Sequence, residues 1–170
     1  MSLEAIEARA QEFLASKKTL MLATVGADGA PTASPAPYVR RGIDFYIYTS
    51  GLSRHTYDLK KKPRTSAMVI EDETSAENLF ARKRLIFSCR SFEMPRDNEW
   101  GKGILRNFRE RFGDIFDVIE PLPDFTLFCL EPYEVVYVEG FGRAYRLSTE
   151  LTNPVHLRGT GPGAEKLETS

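Results

Sequence analysis

The hydrophobic period changes from helical to alternating near residue 18, and that change restricts the fold more than any other feature. Leu3 to Ser16 places Leu3, Ile6, Ala10, Phe13 and Leu14 at helical spacing, with Glu and Arg residues between them. From Thr19 to Val25 apolar and polar residues alternate. Ala27-Asp28-Gly29-Ala30 then supplies hairpin-turn chemistry, and Pro31 to Val39 resumes in extended form. Pro31, Pro35 and Pro37 lack backbone donors and suit an irregular edge segment better than a central, fully paired strand. Arg40-Arg41-Gly42 makes a second turn, and Ile43 to Thr49 (IDFYIYT) is the clearest strand in the chain. Two hairpins in succession describe an antiparallel meander.

Further on, Ser53 reads as the N-cap of a short helix that runs to Lys61 and is closed by Pro63. Thr65 to Ile70 and Arg84 to Glu93 read as strands, separated by the acidic stretch Glu71 to Phe80. Asp97 to Ile119 carries Trp100, Ile104, Leu105, Phe108, Phe112, Ile115, Phe116 and Ile119 on one helical face, with Gly113 a point where that helix bends or divides. Phe125 to Leu130 and Glu134 to Val138 read as two strand pieces separated by Glu131-Pro132, and a last strand ends near Leu147. The expected fold is mainly β (α+β), an antiparallel and largely closed barrel with flanking helices. Its divisions are an N-terminal helix over residues 1–17, a barrel domain over 18–150 and a flexible tail over 151–170.

Bulk properties exclude several function classes. A chain of 170 residues with 42% apolar and 28% charged residues is an ordinary globular domain. A net charge of −1 leaves no global field for nucleic acid or an anionic membrane, so basic residues act locally. No apolar run is long enough to span a bilayer and no signal-peptide pattern opens the chain, which points to the cytoplasm. Cys89 and Cys129 lie in apolar runs and read as buried, reduced thiols.

The densest chemical signal is Tyr48 to Val69, YTSGLSRHTYDLKKKPRTSAMV. A strand ends at Tyr48-Thr49, a polar turn follows through Ser50, and a helix begins at Ser53. Free N–H groups at a helix start, with Ser50 and Ser53 hydroxyls and the Arg54 fork, accept phosphate or carboxylate; His55 adds a donor or a neutral ring. The same residues also suit a plain capped surface helix whose lysines are solvated. Arg82 and Arg84, in Arg82-Lys83-Arg84, share one strand face and either meet an anion or guard an edge. His156, between Pro154 and a glycine-rich run, is a surface residue or a haem-iron ligand. Asp124 caps its turn or orients a ligand through a hydrogen bond. Neither His55 nor His156 has partners at metal-ligand spacing, and no serine-hydrolase, P-loop or dinucleotide-binding motif occurs.

LATVGADGAPTASPAPYV, FYIYTSGLSRHTYDLKKKPRTSAMVIEDE, LFARKRLIF, PDFTLFCLEP, VEGFGRAY and PVHL together resemble the flavin-binding split-barrel superfamily of pyridoxamine 5′-phosphate oxidase. They are most similar to its haem-utilisation branch, the HugZ/HutZ-type haem-degrading proteins, from about Lys18 to His156. The resemblance implies a split barrel that forms a homodimer, with haem or FMN at the dimer interface. In flavin-binding relatives the positions of Tyr48, Thr49, Ser53 and Arg54 hold the FMN phosphate; His55 stands where those relatives have lysine, as in the haem branch. In that branch a tail histidine ligates the iron, which leaves His156 here, and Asp124 matches the aspartate of the partner subunit that bonds to it. Basic residues such as Arg54 or Arg82 then pair with the propionates. The activities implied are oxidative ring opening of haem with an external electron donor, an FMN-dependent oxidoreductase reaction, or non-catalytic haem carriage.

Overall fold

The structure, a computed structural model, describes residues 2–157. In chain order the elements are α1 (Leu3–Ala15), β1 (Thr19–Val25), β2 (Pro31–Arg41), β3 (Asp44–Ser50), α2 (Arg54–Lys61), β4 (Arg64–Ile70), β5 (Arg84–Met94), α3 (Glu99–Phe112), α4 (Asp114–Ile119), β6 (Phe125–Gly140), β7 (Arg143–Leu147) and β8 (Val155–His156). Strand order is β3-β2-β1-β4-β5-β6-β7-β8, and β3 also pairs with β6. Six antiparallel strands thus close into a barrel, and β7 and β8 extend the sheet beyond it. No helix among the described residues is long and apolar enough to cross a membrane.

Alternation along the strands builds two cores. On β3, Phe45 and Ile47 point into the barrel, where they join Leu20, Leu22, Phe87 and Phe128, while Tyr46 and Tyr48 point outward. The outward pair is covered by Ile104, Leu105, Phe108 and Phe116 of α3 and α4, with Leu127 and Cys129 of β6. Burial on both faces explains why IDFYIYT lacks a polar face, and each large side chain so buried contributes roughly 1.5–3 kcal/mol. α1 sets Ile6, Ala10 and Leu14 into the barrel core, and Tyr38 Oη donates to the Leu14 and Lys17 carbonyls at 3.1 and 2.9 Å.

Four expectations need correction. β2 is a long strand, paired with β1 from Thr19↔Pro37 to Val25↔Pro31. Its prolines are tolerated because the Tyr38 N–H donates to the Lys18 carbonyl. By alternation, odd-numbered positions direct their missing donors away from β1, toward an edge that β3 meets only at Tyr38–Arg41.

The second correction concerns β6, one sixteen-residue strand across Glu131-Pro132. Ser88 faces Glu134 while Cys89 faces Pro132, so Tyr133 is the extra residue of a bulge. The helix does divide at Gly113, as its residue type suggested, with φ of 72° and ψ of −150°; the third correction is to its single apolar face. The break turns Ile115 out to solvent, and Trp100 also remains half-exposed against Arg41. Finally, the ordered body continues past residue 150. Leu151 is 1% exposed within the barrel core, and β8 pairs with β7; the rest of the expected flexible tail, 158–170, lies outside the described residues.

Candidate functional site

Helix α2 closes one end of the barrel, and buried polar groups fix it there. The Asp58 side chain is fully buried and accepts from Thr24 Oγ1 at 2.8 Å and Arg54 Nε at 3.0 Å. Burial alone would raise its pKa; hydrogen bonds from Thr24, Arg54 and Thr32 instead carry it below the usual carboxylate value. Thr56 Oγ1 lies 2.9 Å from Thr49 Oγ1 and donates to the Ser50 carbonyl at 2.6 Å, joining the first turn of α2 to the end of β3.

The turn between them is tied to a second segment. Ser50 Oγ donates to Asp124 Oδ2 at 2.7 Å and accepts from the Leu52 N–H at 3.1 Å, while the Gly51 N–H donates to the Asp124 carbonyl at 2.7 Å. A Cβ at residue 51 would stand 3.0 Å from that carbonyl, so the close approach favours glycine. Ser53 occupies the N-cap position of α2, but its hydroxyl makes no capping bond. Among the described residues the hydroxyl has no hydrogen-bond partner, and it lies beside the Arg54 and His55 N–H groups, which have no partners within the helix. Arg54 is half-exposed and reaches both Asp58 and Asp28.

His55 has a defined orientation. Its Nδ1 lies 2.6 Å from Ser34 Oγ of β2, and desolvation carries the imidazole below its ordinary pKa, with Asp58 opposing. The shift favours the uncharged ring. Among the described residues, no hydrogen-bond partner of Nε2 is found.

The structure thus brings Thr49, Ser50, Ser53, Arg54, His55 and Asp124 to one end of the barrel. The remaining sequence candidates lie elsewhere. Tyr48 is buried under α3 and α4; its hydroxyl donates to the Glu120 carbonyl at 2.8 Å and accepts from Arg96 at 2.6 Å. Arg82 precedes β5, so strand alternation does not pair it with Arg84: it folds back onto the Glu71 carbonyl and Glu73. Arg84 opens β5, donates to the Arg82 carbonyl at 2.9 Å, and has no carboxylate partner among the described residues. His156 lies on β8, with Nε2 2.8 Å from the Gly142 carbonyl and its ring against Tyr145.

Sequence reasoning missed Ser34, Asp58 and Arg96. Asp58 stands four residues after Arg54, the spacing of a helical ion pair, and was legible in principle. Ser34 lies on the inward side of an alternating strand, yet its contact with a residue twenty-one positions away has no local signal.

Outside the barrel, one sheet face carries an uncovered apolar row. Pairing across β2, β1, β4, β5 and β6 aligns Pro35, Met21, Met68, Ile86 and Val136 in a transverse row. All five are exposed or partly exposed, and Arg84 lies one outward position from Ile86. Cavities of about 530 Å³ beside Arg96 and Arg109, and of about 560 Å³ between Glu71 and Phe141, include none of Ser53, Arg54 or His55.

Residues 6–139 match the pyridoxamine 5′-phosphate oxidase family. The haem oxygenase HutZ of Vibrio cholerae serotype O1 is 42% identical over 153 residues, covering 89% of this chain and 87% of that protein. The crystal structure of HutZ, there described as a haem storage protein, superposes with a TM-score of 0.77 at 40% identity, covering 79% of this chain and 96% of that one. Campylobacter jejuni ChuZ superposes with a TM-score of 0.83 at 28% identity, covering 100% of this chain and 67% of that one. The chain therefore belongs to the pyridoxamine 5′-phosphate oxidase-related split barrels, in the branch that includes HutZ.

Proposed function

We propose that this protein binds haem in the cytoplasm, as a homodimer that encloses the cofactor between two chains. The single observation that carries this reading is His55: an imidazole held at Nδ1, its uncharged form favoured by burial and with no hydrogen-bond partner at Nε2 among the described residues, beside the anion-accepting start of α2. Haem carries two carboxylates and an iron atom that accepts such a nitrogen. Ser53, Arg54 and Arg84 offer donors for the carboxylates. The apolar row from Pro35 to Val136 offers a surface for the second chain, because so contiguous a patch on a sheet is normally covered. The likeness to HutZ supports the same reading.

HutZ is described both as an oxygenase and as a storage protein, and both roles are open to this chain. Bound haem would supply iron-centred redox chemistry, and the enzymatic form of the proposal is oxidative ring opening with dioxygen as oxidant and electrons from an external donor. In either role the protein residues orient the macrocycle, pair with its carboxylates and exclude water. A second reading, FMN binding, has one specific support: the free Ser53 hydroxyl and the Arg54 and His55 N–H groups also suit a phosphate. His55 in place of a lysine disfavours it.

The absorption spectrum of the purified protein, titrated with haem and separately with FMN, tests this reading. A saturable Soret band is expected. Flavin binding without any haem response would overturn it. Ascorbate added to the haem complex, with catalase present, then separates enzyme from carrier: the band decays in the first and persists in the second.

A further inference from the structure

Helix α3 buries Ile104, Leu105 and Phe108 against the barrel and leaves two flanks on either side of them. On one flank the cations are paired. Lys102 lies 3.3 Å from Glu99, and Arg109 bridges Asp117 and Glu120.

The other flank is different. Trp100, Gly103, Asn107 and Arg111 follow at steps of three and four residues, with Arg106 beside them. This flank runs along the end of β2. Arg41 Cζ stands 4.1 Å from the centre of the Trp100 ring, a cation–π contact. Arg111 donates to the Lys17 carbonyl at 2.6 Å, with its guanidinium 5.4 Å from the Tyr38 ring. A Cβ on Gly103 would stand 3.3 Å from Arg41 Nη1 and 3.8 Å from Arg106 Nη2. Those two nitrogens are therefore no farther apart than the sum of these distances, and no side chain separates them.

Arg41, Arg106 and Arg111 have no carboxylate within ion-pair distance among the described residues. The acids on the neighbouring elements, exposed Glu110 of α3 and half-buried Asp44 of β3, pair with none of them. Two guanidiniums so close repel each other, and a carboxylate lying across both removes the repulsion.

The shape of the surface selects the kind of partner. Neither described cavity includes Arg41 or Arg106, so the site is open on a helix flank. A small anion would stay largely in water there, where one exposed ion pair is worth little. A row of cations beside an exposed aromatic ring suits a broad partner, because Trp and Arg carry much of the binding energy of protein interfaces. Trp100 is 47% exposed and is the only tryptophan of the chain. Nucleic acid needs a long basic face, and this row is short in a chain of net charge −1.

We propose that Trp100, Arg106 and Arg111 of α3, with Arg41 of β2, dock an acidic segment of a partner protein, whose carboxylates lie across Arg41 and Arg106 beside the Trp100 ring. The apolar row proposed to meet a second copy contains none of these residues.

The test titrates the full chain with poly-L-glutamate as the probe, followed by Trp100 emission and by isothermal titration calorimetry. Wild type is expected to bind saturably with a change in emission. Binding should be lost at about 1 M salt, where exposed charges are screened beyond about 3 Å. Arg41→Gln and Arg106→Gln should each weaken binding roughly fivefold or more. Arg41→Lys, which keeps the charge and loses the planar fork, should fall between wild type and Arg41→Gln. Arg143→Gln removes the same charge at an exposed site on β7 and should bind as wild type does. Circular dichroism checks that each variant is folded. Absence of saturable binding to wild type, or equal weakening by Arg143→Gln, overturns the inference. A double-stranded oligonucleotide that binds more tightly than poly-L-glutamate through Arg41 and Arg106 would assign the surface to nucleic acid and overturn it too. None of these readouts involves haem.

Discussion

Asp58 of α2 and Thr24 of β1 meet at 2.8 Å in a site with no solvent exposure at the carboxylate, and this contact fixes the helix that carries His55. Removing a buried charged acceptor strands its donors. Asp58→Ala should therefore cost about 2–3 kcal/mol in urea unfolding, against about 1–2 kcal/mol for Thr24→Val. The pH dependence has a definite sign. The folded state holds the Asp58 proton more weakly than the unfolded chain does, so its contribution is complete above the unfolded carboxylate pKa of about 3.9. It is lost as pH falls below that value. Asp58→Asn should flatten the stability profile in that acid range and leave its slope near pH 7 unchanged.

Gly113 divides the α3–α4 segment with a conformation that only glycine adopts readily. Gly113→Ala should destabilise the protein by about 1–3 kcal/mol. Denaturant unfolding followed by the fluorescence of Trp100, the only tryptophan, checks this on α3 itself. An unchanged midpoint would mean that the two helices join without a break.

How far the sequence reveals the fold depends on whether the relevant signal is local. Alternation located β1 and β3 because residues two apart share a face, and Gly113 announced a possible break by type alone. The prolines of β2 pointed correctly to an edge but wrongly to an irregular segment, and the Glu131-Pro132 pair misdirected the reading. Their tolerance depends on which edge is free and on the Tyr133 bulge, and neither is encoded nearby. The site divides in the same way. Ser53, Arg54 and His55 lie together in sequence and remain together at the start of α2. Ser34 and Asp58 become part of that setting only when β1, β2 and α2 meet, and Arg82 leaves the strand face because β5 starts two residues later.

Burial raises the Cys89 thiol pKa to about 12 and that of Cys129 to about 11. At pH 8 both are almost wholly protonated, and they are 0% and 8% exposed. Reaction with a thiol-specific disulfide reagent should proceed only as fast as the protein opens, and should be complete at once in denaturant. Rapid labelling of the native protein would place at least one thiol on the surface.

Ile86 lies in the apolar row on the outer sheet, between Met68 and Val136, and Ile86→Lys introduces a charge where a second chain is proposed to pack. The variant should keep wild-type circular dichroism, elute as a monomer in size-exclusion chromatography with light scattering, and bind haem more weakly than wild type. Unchanged dimerisation would move the interface to another face.

Sedimentation velocity of the haem-loaded protein, recorded at the Soret wavelength, joins the cofactor and the assembly in one observation. The account predicts that essentially all of the haem absorbance moves as a single boundary with the mass of two chains. Haem absorbance that sediments with a single chain, or that remains unsedimented while the protein moves, would contradict it.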